Sequence, residues 1–131
     1  MSKPKVLLID DEVSFTNLTK INLEASGKFR VGVVNDPSQA LEVARTFEPD
    51  VVVLDVAMPG KDGGDILVEL KQDPAMKRVP VIVLTALVSL EETSEEGLVN
   101  PDGELVLAKP VSAPKLIKTI EARLTCQVRS G

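Results

Sequence analysis

Three short apolar runs constrain this chain more than any other feature: Val6-Leu7-Leu8-Ile9, Val51-Val52-Val53-Leu54 and Val79-Pro80-Val81-Ile82-Val83-Leu84. None of them alternates with polar residues. A strand with one wet face reads apolar and polar by turns, whereas a strand covered on both faces reads as an unbroken apolar run. These three are therefore read as central strands of a parallel sheet. Weaker runs at 29–34 and 104–108 fit outer strands of the same sheet.

Amphipathic stretches separate the runs, and each predicts a helix. Residues 12–26 place Leu18, Ile21 and Ala25 on one face, and residues 37–47 place Ala40, Ala44 and Phe47. Residues 63–73 carry Ile66, Leu67 and Leu70, and residues 113–124 carry Ile117, Ile120 and Leu124 behind a Ser112 cap. Asp36, Pro37 and Gln39 form a helix-start signature: a cap, a proline at the first helical position and a capping box. The segment from Ser89 to Gly97 differs, because only Leu90 is strongly apolar and Glu91, Glu92, Glu95 and Glu96 crowd in. It predicts a short, mobile fourth helix that buries little. Strand and helix alternating in this way give an α/β fold, a doubly wound five-stranded parallel sheet with five helices and right-handed crossovers. In such sheets ligands bind beyond the carboxyl ends of the strands.

Composition narrows the function. With 131 residues the chain is read as one domain, 1–131, with its core at about 5–125. It has no His, which excludes His-based catalysis and His metal ligands. A lone Cys126 can form no internal disulfide. The net charge of −5 and the 2% aromatic content, all Phe, argue against nucleic-acid binding. No apolar run approaches a membrane span, and the N-terminus leads into a strand rather than a signal peptide. The expected location is cytoplasmic.

The polar residues that follow the apolar runs carry the chemistry. The first run ends in Asp10-Asp11-Glu12, the next central run in Asp55, the one after it in Thr85-Ala86, and the last strand in Lys109-Pro110. If these strands are parallel, all four sets meet at one edge of the sheet. Asp10, Asp11 and Asp55 would then repel one another unless a hard cation sat among them, and Mg²⁺ prefers a few carboxylates plus waters. An aspartate beside a cation and a lysine is a plausible nucleophile toward phosphorus. Taken singly, each residue has an ordinary reading: helix-start charges for Asp10, Asp11 and Glu12, a turn for Asp55, a strand-end hydroxyl for Thr85, a solvated charge for Lys109. The pattern as a whole is what speaks against those readings. Gly60, Gly63 and Gly64 do not form a phosphate-cradling loop, because its lysine is missing.

Asp10-Asp11, Asp55 followed by Met58-Pro59-Gly60, Thr85-Ala86 and Lys109-Pro110, in that order, resemble the receiver domain of response regulators in two-component signal transduction. The resemblance covers roughly residues 5–125. It implies the flavodoxin-like strand order 2-1-3-4-5. It also implies phosphorylation of Asp55 by a sensor histidine kinase or phosphotransfer protein. Mg²⁺ would be bound by Asp11, Asp55 and the carbonyl of Ala57, with Asp10 acting through water. Thr85 and Lys109 would contact the phosphoryl group, and the Lys109-Pro110 bond would be cis. Such a domain signals by a conformational shift to a downstream partner or an output domain, can form homodimers, and is not a turnover enzyme.

The chain departs from that family in three places. Val106 stands where receivers often carry an aromatic, and valine has only one stiff χ angle with which to switch. Thr85 and Lys109 are slightly further apart than is usual, with the extra length expected at 99–103. Ala57 and Leu87 are both apolar where they should border the phosphoryl group, which implies slow self-dephosphorylation. Two rival readings remain: a hydrolase of the aspartyl-phosphate kind, and a scaffold with a vestigial pocket. The first usually needs a second Asp at the position of Ala57, and the second does not explain an intact Asp10, Asp11, Asp55, Thr85 and Lys109.

Overall fold

The apolar runs form the centre of a sheet. In the computed structural model, which describes residues 3–55, 63–85, 98–99, 105–108 and 112–130, β1 (Lys5–Ile9), β3 (Val51–Asp55) and β4 (Val81–Thr85) lie side by side. The order is β2-β1-β3-β4-β6-β5, with β2 at Arg30–Val34, β5 at Leu98–Val99 and β6 at Leu105–Ala108. All neighbouring pairs are parallel except β5 with β6. The five parallel strands therefore take the expected order. The structure adds a two-residue antiparallel strand at the outer edge, Leu98–Val99, which ends at the first residue of the stretch 99–103 where extra length was expected; residues 100–103 lie outside the described residues.

Each long strand is buried on both faces because its side chains alternate between two cores. Leu7, Ile9, Val52, Leu54, Val81 and Val83 pack with Ala40 and Ala44 of α2 (Ala40–Phe47) and Ile66 and Leu70 of α3 (Gly63–Gln72). Val6, Leu8, Val51, Val53, Ile82, Leu84 and Leu107 pack on the opposite face. Their partners there are Leu23 of α1 (Val13–Ala25) and Leu116 and Ile120 of α4 (Ala113–Ser130). Among the described residues, two helices lie on each face, which makes the sheet doubly wound. The last helix runs six residues beyond the expected 124. The helix expected within Ser89–Gly97 lies outside the described residues.

The sequence misassigned the buried face of α1. Leu18 and Ile21 are 61% and 63% exposed, and Ala25 is exposed as well. The helix buries Thr16, Thr19 and Leu23 instead. Both triplets have the same spacing, but they are offset by two residues, or about 200° around the helix. Threonine can occupy the buried face because its hydroxyl finds partners at hand: Thr16 Oγ1 donates to the Val13 carbonyl at 3.1 Å.

The expected helix at 37–47 starts differently from its signature. Pro37–Gln39 form a 3-10 turn, and α2 begins at Ala40. Asp36 does act as the cap, with Oδ1 accepting from the Ser38 amide at 3.0 Å and the Ser38 hydroxyl at 2.8 Å. These bonds hold its carboxyl below the usual range. The helix stops at Glu48, whose φ of 54° is left-handed, followed by Pro49.

Phe47, at the end of α2, fixes how closely that helix approaches the sheet. A Cβ added at Gly32 on β2 would lie 3.1 Å from the Phe47 ring. Lys5 caps the same corner, with Nζ 5.7 Å from the ring centroid and donating to the Phe47 carbonyl at 3.2 Å. Gly32→Val would push the ring outward, and overpacking of this kind costs about 1–3 kcal/mol. Urea unfolding of that variant checks the value.

A second link joins the C-terminal ends of α2 and α3. Arg45 Nε donates to Asp73 Oδ2 at 2.6 Å and Nη2 lies 2.5 Å from the same oxygen, while Asp73 Oδ1 accepts from the Ala75 amide at 2.8 Å. The hydrogen bond from Arg45 lowers the Asp73 pKa, burial opposes it, and the Ala75 amide adds to the lowering. A carboxyl whose folded pKa lies below its unfolded value contributes stability that is fully present above about pH 4 and is lost as pH falls through the lower folded value. Asp73→Asn should therefore be less stable than wild type at pH 7, and the gap should narrow below pH ~4. Denaturant titrations at pH 7 and pH 3 measure it.

Candidate functional site

The parallel register brings the strand ends together. Ile9 pairs with Leu54, so Asp10 and Asp55 are the next residues on adjacent strands. Asp55 pairs with Leu84, so Thr85 follows at the same edge. Thr85 in turn pairs with Ala108, the residue before Lys109. Lys109 itself, Ala57, Met58-Pro59-Gly60 and Leu87 lie outside the described residues.

The acidic trio meets in space. Carboxylate oxygens of Asp10, Asp11 and Asp55 all lie within 4.8 Å of one another. Asp10 is 2% exposed and Asp55 5% exposed, while Asp11 is half-buried at the mouth. Like charges this close and this dry repel strongly unless a cation or proton intervenes. Hard oxygen donors at such spacing fit a divalent ion that takes several carboxylates and keeps its waters.

Asp10 is held from three sides. Its amide donates to the Val34 carbonyl at 3.0 Å, its Oδ1 accepts from the Glu12 amide at 2.9 Å, and its carbonyl accepts from Asn35 Nδ2 at 2.8 Å. Asn35 also donates to Thr16 Oγ1 at 2.9 Å. The sequence reading passed over Asn35 and Thr16. Their only signal was an Asn at the carboxyl end of an outer strand, where a turn is the commoner explanation.

The fold and the acidic rim fit several phosphate enzymes and signalling modules, and comparison with known proteins separates them. Residues 6–121 match the model of the response regulator receiver domain. The chain belongs to the response regulator receiver family. This receiver is 30% identical over 119 residues to the polar-differentiation response regulator DivK of Brucella anthropi, spanning 91% of this chain and 94% of that protein. It is 33% identical over 122 residues to the DNA-binding response regulator MtrA of Mycolicibacterium smegmatis, spanning 93% of this chain but 51% of that one. The receiver thus spans about half the length of its MtrA relative. Among solved structures, the Francisella response regulator 1452 receiver domain superposes with a TM-score of 0.74 at 33% identity, over 98% of each chain. A receiver domain protein from Methanospirillum hungatei superposes with a TM-score of 0.82, covering 99% of this chain and 100% of that one; at 21% identity it supports the fold alone. Among the described residues, no helix of this receiver is long and apolar enough to cross a membrane.

Proposed function

We propose that this receiver accepts a phosphoryl group on Asp55, with Mg²⁺ held by Asp11 and Asp55 and, through water, by Asp10. The observation that carries the reading is the convergence of three carboxylate oxygens within 4.8 Å at the carboxyl end of the sheet. Asp55 is the member that ends the central strand β3, where it pairs with Leu84 of β4.

The donor is a phosphohistidine of a sensor histidine kinase or of a phosphotransfer protein. An Asp55 carboxylate oxygen forms the new bond to phosphorus while the bond from phosphorus to the donor nitrogen breaks. The electron pair stays on that nitrogen, which then takes up a proton. When bound, Mg²⁺ neutralises charge on the phosphoryl oxygens and relieves the repulsion within the acidic trio. Asp10 and Asp11 hold the site's geometry. Thr85, at the end of β4, and Lys109, the residue that follows β6 in the sequence, would contact the transferred group. The transfer is mostly a matter of positioning and charge, so a rigid sheet edge suits it.

The receiver works as a switch rather than as a turnover enzyme. The added charge at Asp55 redistributes two conformations, and a downstream partner or an output domain reads the result. Incubation with acetyl phosphate and Mg²⁺, followed by intact-mass measurement, tests the reading. One added phosphoryl group is expected, and none in the presence of a chelator. Continuous release of phosphate from simple monoesters would favour the hydrolase reading, and neither outcome would favour a scaffold.

A further inference from the structure

We propose that Asn35 and Thr16 are positioning residues for the cation site. Together they hold the peptide that links Asp10 to Asp11 in one orientation. The inference rests on the Mg²⁺ reading above and extends it to two residues outside the acidic trio.

The carbonyl that Asn35 grips belongs to the peptide unit between Asp10 and Asp11. With the Asp10 amide fixed, the direction of that carbonyl sets ψ of Asp10, and ψ of Asp10 sets where the chain carries Asp11 and its carboxylate. The amide of Asp10 is already fixed to Val34 of β2, and its Oδ1 to the Glu12 amide. Asn35 adds a restraint on the Asp10 carbonyl, in the peptide unit shared with Asp11. The bond partners also settle which way the Asn35 amide points. A flipped side chain would set its oxygen against the Asp10 carbonyl oxygen, so the NH₂ group must face it.

Thr16 makes the grip rigid. It is fully buried, and its hydroxyl donates to the Val13 carbonyl at 3.1 Å, leaving its oxygen free to accept from Asn35 at 2.9 Å. The chain of bonds runs from the first turn of α1, through Asn35 after β2, to the tip of β1. Three elements are thus tied to the acidic edge by side chains that need not touch the ion. This also accounts for Thr16, a polar residue on the buried face of α1. Partners behind a metal's ligands commonly alter affinity by about 10–100-fold.

The test is Mg²⁺ binding by calorimetry, with each variant's folding checked by circular dichroism. Asn35→Ala should bind Mg²⁺ about tenfold more weakly. Thr16→Val should also bind more weakly, whereas Thr16→Ser, which keeps the hydroxyl, should bind as wild type does. Arg45→Ala provides a comparator that loosens the α2–α3 link away from the site, and it should bind normally. Wild-type affinity in Asn35→Ala would overturn the proposal, as would an equal loss in Arg45→Ala. Should Asn35→Ala fail to fold, equal affinities in Thr16→Val and Thr16→Ser would overturn it. A wild-type protein that bound no Mg²⁺ would overturn the Mg²⁺ reading itself, which distinguishes the two failures.

Discussion

Asp55→Asn is expected to lower phosphoryl uptake from acetyl phosphate by at least about 100-fold while leaving the fold intact. The two side chains have nearly the same shape, so the packing at the end of β3 survives. An amide, however, lacks the ionised oxygen that attacks phosphorus. The substitution also removes one of three charges from the acidic trio and so weakens its hold on a cation. For wild type, Mg²⁺ at about 100 times its dissociation constant should add about 2.7 kcal/mol of stability, and a chelator should remove it. Intact-mass spectra and thermal melts with and without Mg²⁺ read both effects. Uptake by Asp55→Asn at the wild-type rate would assign the chemistry to another residue.

Leu54→Ala should cost about 3–5 kcal/mol, a large part of the stability of a typical domain. Leu54 is fully buried at the sheet centre, between Ile9 on β1 and Val83 on β4, in the core that also holds Ile66 and Leu70. Strands pack this core from one side and helices from the other, so the surroundings can collapse little into the space left behind. The apolar residues of α1 offer the contrast. Leu18→Ala and Ile21→Ala should each change stability by no more than about 0.5 kcal/mol, because both side chains already stand in solvent. Urea unfolding of the three variants compares them directly.

The strands were legible because a doubly covered strand has no polar positions to mislead the reader. Val6 to Ile9 and Val51 to Leu54 could only be central. That in turn made the meeting of Asp10, Asp11 and Asp55 legible, since parallel strands put their carboxyl ends on one side. The face of α1 was not legible. Hydropathy ranks Leu18 and Ile21 above Thr16 and Thr19, but burial depends on whether a hydroxyl is satisfied, and Thr16 is satisfied by Val13 and Asn35. The edge strand Leu98–Val99 has two residues, too few to show a period, and it exists through pairing with Leu105 and Val106. Asn35 escaped for a similar reason: its role depends on which carbonyl the fold brings beside it, and no local pattern announces that.

Asp55 is the one carboxylate proposed to receive the phosphoryl group beside a divalent cation. Borohydride reduction of protein treated with acetyl phosphate converts an acyl phosphate to the corresponding alcohol, and peptide mass spectrometry then locates it. Modification at Asp55 alone, dependent on Mg²⁺, is the expected result. Modification at Asp10, Asp11 or an exposed carboxylate instead, or modification at Asp55 that proceeds equally well in a chelator, would contradict it.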